Sequence, residues 1–189
     1  MTELRWHGRG GQGAITASKI VATAAFNHGF TGAVMIPTFG TERRGAPIFS
    51  SLKIAREKIY DLSPIETPDI VVVLDHLLLD EVDVADGLKP DGLVVLNTPK
   101  PASAYDFGEA RLAVADVSAL SVEAGLPPGR INSGIIGVLC RAFEIVPFDA
   151  VLEEIEAEFA GKKPAANAGA ARLAYENAVV QEPTPAGVA

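Results

Sequence analysis

The stretch Leu4-Arg5-Trp6-His7-Gly8-Arg9-Gly10-Gly11-Gln12-Gly13-Ala14 decides the fold of this chain. A short strand pattern over residues 4–7 leads into a glycine-rich turn, and the small and apolar residues that follow predict a helix over residues 14–27. Residues 8–13 have the spacing G-x-G-x-x-G. In this interpretation Gly8 permits the tight strand-to-helix turn, Gly10 lets the backbone approach a ligand, and Gly13 lets the helix pack on the sheet. The free N–H groups at the helix N-terminus then favour an anion.

The glycine turn supplies most of the candidate ligand residues. Arg9 adds a guanidinium suited to a phosphate or carboxylate, so the candidates here are Gly8, Arg9, Gly10, Gly11, Gln12 and Gly13. A dinucleotide site also needs an acid at the end of the second strand, about 20 residues on, to hold the ribose. The second predicted strand, residues 33–37, ends without one, and Glu42 lies inside a loop. The sequence therefore argues against NAD, and it leaves open that the glycines serve only backbone geometry and packing.

The rest of the chain alternates strand and helix patterns, as α/β proteins do. Strands are predicted over residues 4–7, 33–37, 48–54, 58–62, 69–75, 92–97 and 110–115, and helices over 14–27, 77–84, 117–124, 133–143, 149–159 and 165–180. The expected fold is α/β, an open, mainly parallel sheet with helices on both faces, a Rossmann-like glycine-rich first βα turn and a helical C-terminal region. We expect one domain over residues 1–181 and a flexible tail over 182–189.

A second glycine-bounded loop, residues 39–47, carries the adjacent Arg43 and Arg44. Because this loop and the first glycine turn both border strand ends, we expect them at the same edge of the sheet, where ligands of open α/β sheets bind. Both arginines are therefore candidates to contact an anionic cofactor or an acid of a partner. The alternative is an internal clamp in which Arg44 pairs with Glu42 or Asp75.

Composition narrows the class of protein. The net charge of the 189 residues is −8, yet residues 1–60 hold eight Lys/Arg and three Asp/Glu, so the remainder carries −13. An anionic ligand or acidic partner surface near the glycine turn fits this asymmetry. The sequence has no long basic run typical of nucleic-acid binding, no apolar run near the roughly 20 residues of a membrane helix, and no secretory leader pattern. We therefore expect a soluble, cytoplasmic chain.

Catalytic and metal-binding patterns are not recognisable in the sequence. Cys140 is the single cysteine and lies in an apolar helical pattern, so it is expected to be a buried, inert thiol. The three histidines lack metal-ligand spacing, and no catalytic triad has a recognisable local context. We predict no catalytic residue and no metal site in this chain, which resembles a binding or assembly module.

Several segments together carry a family resemblance. Residues 5–14 resemble the opening of the gamma subunit of pyruvate and other 2-oxoacid:ferredoxin oxidoreductases, which reads G-x-G-G-Q-G before a helix of small residues. The second loop of that family, G-x-E-x-R-G-G, is matched by residues 40–46, with Ala46 where the family usually has glycine. Similar segments follow in order at 50–54, 68–75, 132–137 and 159–176. The resemblance covers residues 3–178.

The resemblance implies a gamma subunit of a thiamine-diphosphate-dependent complex that oxidatively decarboxylates a 2-oxoacid, usually to an acyl-CoA. It implies thiamine diphosphate, Mg²⁺ and [4Fe–4S] clusters in the alpha, beta and ferredoxin-like delta partners, with electrons passing to ferredoxin or, through an NAD(P)/flavin subunit, to NAD(P). This chain would assemble with the catalytic subunits and help form the coenzyme A region, with Gly10, Gly11, Gln12, Arg43 and Arg44 facing the ligand or partner. The alternatives are a stand-alone nucleotide- or phosphate-binding protein and a ligand-free scaffold.

Overall fold

A seven-stranded sheet forms the centre of the molecule. The computed structural model describes residues 1–37 and 45–183. In chain order the elements are β1 (Thr2–Arg9), α1 (Ala14–Asn27), β2 (Gly32–Pro37), β3 (Pro47–Ala55), β4 (Ile70–Val73), β5 (Leu93–Asn97), β6 (Arg111–Ala115), α2 (Val117–Glu123), α3 (Asn132–Ala142), α4 (Phe148–Glu158), α5 (Pro164–Asn177) and β7 (Val179–Gln181). Short 3-10 helices at His76–Asp80 and Ala102–Ala104 lie between strands.

The strand order is β2-β3-β1-β4-β5-β6-β7. β1, β4, β5 and β6 run parallel to one another, whereas β3 is antiparallel to β1 and β2, and β7 is antiparallel to β6. Every residue of β4 and β5 is buried, which explains why these strands are continuous apolar runs in the sequence. The predicted α/β fold is confirmed, and the carboxyl ends of the four parallel strands meet at one edge.

The two faces of the sheet are covered differently. Residues of α1, α3, α4 and α5, with Val117 of α2, pack in one large core against one face. The opposite face is covered by a smaller core built from the two 3-10 helices and their loops. Helical cover on both faces was expected, and the structure assigns the five α-helices to one face and the short 3-10 helices to the other.

Three predicted elements differ from the structure. Residues 58–62 are not a strand: this segment is a loop, held over the sheet because Lys53 donates to Asp61 at 2.9 Å. The helix predicted over 77–84 is a shorter 3-10 helix, and the one predicted over 165–180 ends at Asn177. Residues 179–181 instead pair with β6, a tertiary contact that the helical pattern does not reveal. The predicted loop around Arg43 and residues 184–189 of the predicted tail lie outside the described residues.

Helices α3 and α5 pack at very short distance. A Cβ added to Gly137 of α3 would lie 2.1 Å from the carbonyl oxygen of Ala171 in α5, so only glycine fits. Near the start of both helices, the Ser133 hydroxyl donates to Oδ1 of the Asn167 amide at 3.0 Å, and both residues are buried. This contact sets the N-termini of the two helices side by side.

Candidate anion-binding site

A cleft of about 910 Å³ opens beside the glycine turn at the carboxyl end of β1. Three helix N-termini border it: residues 10–16 at the start of α1, residues 130–132 at the start of α3, and residues 162–167 at the start of α5. We call it the anion cleft for reasons of charge given below. It brings together segments more than 100 residues apart in the sequence.

The three N-termini have no compensating side chains of their own. The N-cap residues Gly13, Ile131 and Lys163 make no side-chain capping hydrogen bond, and no acid lies in the first turn of α1, α3 or α5. By contrast, α4, which begins elsewhere, has Asp149 in its first turn. Because each N-terminus carries partial positive charge and orphan N–H groups, their convergence favours a negatively charged ligand.

Three cationic side chains reinforce this field. Arg130, Lys162 and Lys163 line the anion cleft and are exposed. Lysines at a helix N-terminus oppose the dipole of that helix, although the Lys163 ammonium is partly compensated because it donates to the Gly125 carbonyl, just after α2, at 3.1 Å. The carboxylate that also lines the cleft, Glu158, is neutralised by Lys19 at 2.8 Å.

Asn132 is a polar group directed at this cleft. Its side chain is only 8% exposed, it lines the cleft, and none of the described residues makes a hydrogen bond to its amide. It also explains Gly13, because a Cβ there would lie 2.8 Å from Nδ2 of Asn132, and Gly13 has a φ of +84°. Because Asn132 lines the cleft with a polar amide, it is a candidate ligand contact that the sequence did not reveal.

The glycines of the turn have roles that differ from those predicted. Gly8 lies inside β1, where an added Cβ would be 3.3 Å from the Cβ of Ala14, so it is Gly8 that lets α1 pack close to the strand. Gly11 and Gly13 adopt positive φ angles and make the turn. The roles assigned to Gly8 and Gly13 from the sequence are therefore exchanged.

Arg9 does not line the anion cleft. Its Nε donates to Oδ2 of Asp75 at 2.8 Å, and its Nη2 donates to Oε1 of Glu81 at 2.6 Å. Hydrogen bonds to these two carboxylates raise the pKa of Arg9 above its ordinary value. Burial raises the pKa of Asp75, but hydrogen bonds from Arg9, the Leu77 N–H and Gln12 together outweigh burial and lower it. Arg9 is thus bound to internal carboxylates in this structure.

The second glycine-bounded loop meets the first turn, as expected. The Gly10 N–H donates to the Ala46 carbonyl at 3.0 Å, and the Gly45 N–H donates to the Gly10 carbonyl at 3.2 Å. The described end of that loop therefore lies at the same sheet edge. The two candidate arginines, Arg43 and Arg44, lie outside the described residues, so their contacts stay predictions.

Among the described residues, the cations that line the cleft do not come from the basic first third of the chain. Arg5 donates to the Val84 carbonyl, Arg9 pairs with acids, and Lys53, 1% exposed, pairs with Asp61. These cations of the basic first third are therefore largely satisfied internally. The cleft instead draws on residues 130–163. A sequence signal did exist: Lys162-Lys163-Pro164 places two lysines before a proline that marks a helix start.

Other titratable groups in the described parts of the chain form no cluster of metal ligands. No group of three or more His, Cys, Asp or Glu residues with metal-binding geometry occurs in residues 1–37 and 45–183. Burial, with a smaller contribution from Glu144, raises the pKa of the Cys140 thiol to about 12. Among these same residues, no helix combines the length and the apolar character needed to cross a bilayer.

The fold and the cleft define a class of protein: an α/β chain in which a glycine-rich strand–helix turn and three helix N-termini border one cleft. A profile of the family described as "Pyruvate ferredoxin/flavodoxin oxidoreductase" matches residues 3–177, and the chain belongs to this family. The resemblance read from the sequence is confirmed.

Named relatives are similar over nearly the whole chain. The "Pyruvate/ketoisovalerate oxidoreductases common subunit gamma" of Thermococcus litoralis is 43% identical, covering 96% of this chain and 100% of its own. The "Pyruvate synthase subunit PorC" of Methanothermobacter marburgensis is 42% identical and covers 93% and 97%. This chain is thus the gamma subunit of a 2-oxoacid:ferredoxin oxidoreductase complex.

Solved structures agree with the fold. The crystal structure of pyruvate oxidoreductase subunit PORC from Thermotoga maritima has a TM-score of 0.82 at 33% identity, covering 96% of this chain and 98% of its own. The 2-oxoglutarate:ferredoxin oxidoreductase from Magnetococcus marinus, with 2-oxoglutarate, coenzyme A and succinyl-CoA bound, has a TM-score of 0.67 at 20% identity. It covers 93% of this chain but only 31% of its own, so the same fold is one part of a longer chain there.

Proposed function

We propose that this gamma subunit is non-catalytic and binds coenzyme A for its complex through the anion cleft. The observation that carries the proposal is the convergence of three uncapped helix N-termini with Arg130, Lys162 and Lys163 on one cleft. Coenzyme A carries a pyrophosphate and a separate ribose phosphate, so it needs several anion-binding groups spread over one elongated site. A single helix N-terminus accommodates one phosphate group, whereas three provide for both.

The glycine turn fits the part of the ligand that approaches the backbone most closely. Gly10, Gly11, Gln12 and Gly13 all line the cleft, and so do residues 14–16, the first three of α1. Asn132 offers an additional amide beside these groups. The coenzyme A bound in the Magnetococcus marinus relative makes this ligand the first to test.

The strand order argues against the dinucleotide alternative. β3 lies between β1 and β2, so the end of β2 does not flank the glycine turn as the second strand does in a dinucleotide-binding fold. An acid that holds the ribose of NAD from that position is therefore misplaced in this topology.

We infer that the redox cofactors belong to partner chains. A [4Fe–4S] cluster is usually held by four cysteines, and this sequence has one. Thiamine diphosphate, Mg²⁺ and the clusters are accordingly assigned to alpha, beta and ferredoxin-like delta subunits. This chain would bind and orient coenzyme A, the acyl acceptor. Arg43 and Arg44 remain candidate contacts to that ligand.

The test is a calorimetric titration of coenzyme A into the purified complex carrying Lys162→Gln and Lys163→Gln together. Each lost charge-assisted contact is worth about 1.5 kcal/mol, so we expect a dissociation constant on the order of a hundredfold higher. Arg172→Gln is the matched control, because Arg172 lies on the same helix, is exposed and does not line the cleft. Affinity within twofold of wild type in the double variant would overturn the proposal.

A further inference from the structure

We propose that Arg9 is a positioning residue that, with Asp75 and Gln12, braces the glycine turn in the shape that binds the anion. Arg9 stands inside the glycine motif, where its charge suggests a direct contact with the ligand. The hydrogen bonds around it indicate a different role. This inference rests on the proposed function of the anion cleft.

The brace begins with the side chain of Gln12. Its Oε1 accepts from the Arg9 N–H at 2.8 Å, which closes the turn across the glycines. Its Nε2 donates to Oδ2 of Asp75 at 3.3 Å, the same oxygen that accepts from Nε of Arg9. The amide therefore holds the two ends of the turn together and ties them to the segment that follows β4.

Asp75 is itself fixed in place. Its Oδ1 accepts from the Leu77 N–H at 3.0 Å, as the N-cap of the 3-10 helix that follows β4. One carboxylate thus bonds the glycine turn through Oδ2 and the backbone after β4 through Oδ1. The turn is anchored to a buried strand of the sheet.

The guanidinium of Arg9 extends the brace to two further segments. Its Nη2 donates to Glu81 at 2.6 Å, beyond the 3-10 helix, and its Nη1 donates to the Gly45 carbonyl at 3.3 Å. Gly45 in turn donates to Gly10 at 3.2 Å. Arg9 therefore connects the turn, the end of β4 and the second loop, and only a planar fork with several donors makes all of these bonds.

The side of the turn on which Arg9 lies is unsuited to an anion. Arg9 faces two carboxylates, Asp75 and Glu81, so this cluster has a net charge of −1. Asp75 also lines a second, smaller cleft of about 430 Å³, where Asp116 and His76 are the other titratable groups. Gln12 lines both clefts and lies between them. An anion is repelled on one side of the turn and attracted on the other.

The test compares Arg9→Gln, Asp75→Asn and the double variant in the purified complex. We expect each single variant to raise the KM for coenzyme A about tenfold, the scale of one lost charge-assisted hydrogen bond, with kcat at saturating coenzyme A unchanged. The double variant should be no worse than the poorer single one, because the two residues act through one brace. Arg9→Lys should not restore the KM, since an ammonium lacks the fork.

Salt dependence distinguishes a brace from a ligand contact. Removing a cation that touches the ligand flattens the dependence of affinity on ionic strength, as expected for Lys163→Gln. Arg9→Gln should leave that slope unchanged. Asp69→Asn is the matched control: Asp69 flanks the opposite end of β4 and pairs with Lys89, so its loss disturbs the same strand without touching the turn.

The outcomes separate this inference from the proposed function. If the lysine variants weaken coenzyme A binding while Arg9→Gln and Asp75→Asn do not, the brace is wrong and the site stands. If Arg9→Gln flattens the salt dependence as Lys163→Gln does, Arg9 contacts the ligand and the brace is also wrong. If neither set of variants changes affinity, the proposed site itself fails. If Asp69→Asn raised the KM as much as Asp75→Asn, general destabilisation would account for the rise and the inference would be wrong.

Discussion

Gly137→Ala is predicted to be among the most damaging single-methyl changes in this protein. The added Cβ would stand 2.1 Å from the carbonyl oxygen of Ala171, and real Cβ contacts essentially never fall below 3.0 Å. α3 must therefore move away from α5 by about 1 Å. The clash joins a Cβ fixed to the backbone of α3 and a backbone carbonyl of α5, so no side-chain rotation relieves it.

The loss in the free energy of unfolding caused by Gly137→Ala follows from the side chains that α3 buries in the core. Ile135, Ile136, Val138 and Leu139 are all fully buried, and a gap of 0.5–1 Å forfeits roughly a quarter to a half of each dispersion contact. We take about 4 kcal/mol for the four side chains together, above the roughly 1–3 kcal/mol typical of an overpacked core because the clash here is with backbone. Alanine regains about 1 kcal/mol of helix propensity over glycine. The net loss in the free energy of unfolding is about 3 kcal/mol.

Urea unfolding of the purified chain, followed by circular dichroism, measures this loss. With a slope of about 2 kcal/mol per molar urea for a chain of this size, the midpoint should fall by about 1.5 M. Gly169→Ala, in α5, is the matched control. The nearest atom to its added Cβ is 3.8 Å away, which is an ordinary van der Waals contact. That variant should gain about 0.5–1 kcal/mol. A Gly137→Ala midpoint within 0.3 M of wild type would refute the reasoning.

Three further predictions concern buried titratable groups. Burial, then the charge of Arg5, lowers the pKa of His7 from 6.5 to about 4. The free energy of unfolding that neutral His7 contributes is therefore complete above pH 6.5 and is lost as the pH falls toward 4, with a loss of about 2 kcal/mol at pH 5. His7→Leu should flatten this part of a profile of stability against pH. Asp61→Asn leaves the buried ammonium of Lys53 with Glu3, at 3.6 Å, in place of its nearer carboxylate and should lower the urea midpoint, whereas Lys53→Met should leave the midpoint close to that of wild type. Cys140, with a pKa raised to about 12, should not react with Ellman's reagent at pH 8 until the chain unfolds.

The sheet and the first helix could be predicted because their patterns are local. β4 and β5 are continuous apolar runs, and α1 occupies the predicted residues 14–27. β7 could not be predicted, since three residues directly after a helix form a strand only because β6 offers an unpaired edge. The false strand at 58–62 is the converse case, because these residues form a mostly exposed loop that pairs with no strand.

The candidate site was predictable only in part. The glycine turn is a contiguous motif and was found, but the cations that face it come from Arg130, Lys162 and Lys163, which only the tertiary fold brings near. For Arg9 the structure shows partners that the sequence could not reveal. Its charge beside the glycines suggested a ligand contact, whereas its partners Asp75 and Glu81 lie more than 60 residues away in sequence. A sequence gives the identity of a charged group but not whether another group already neutralises it.

The central place of β1 in the sheet has a consequence for biosynthesis. β1 can complete its pairing only after β3 and β4, its neighbours on either side, have been translated. The glycine turn then waits for residues 75–81 to meet Arg9, and the cleft waits for residues 162–167. A nascent chain that has not yet exposed residues 162–167 therefore lacks one wall of the proposed binding cleft, so a ligand cannot assist the earlier folding steps by binding there.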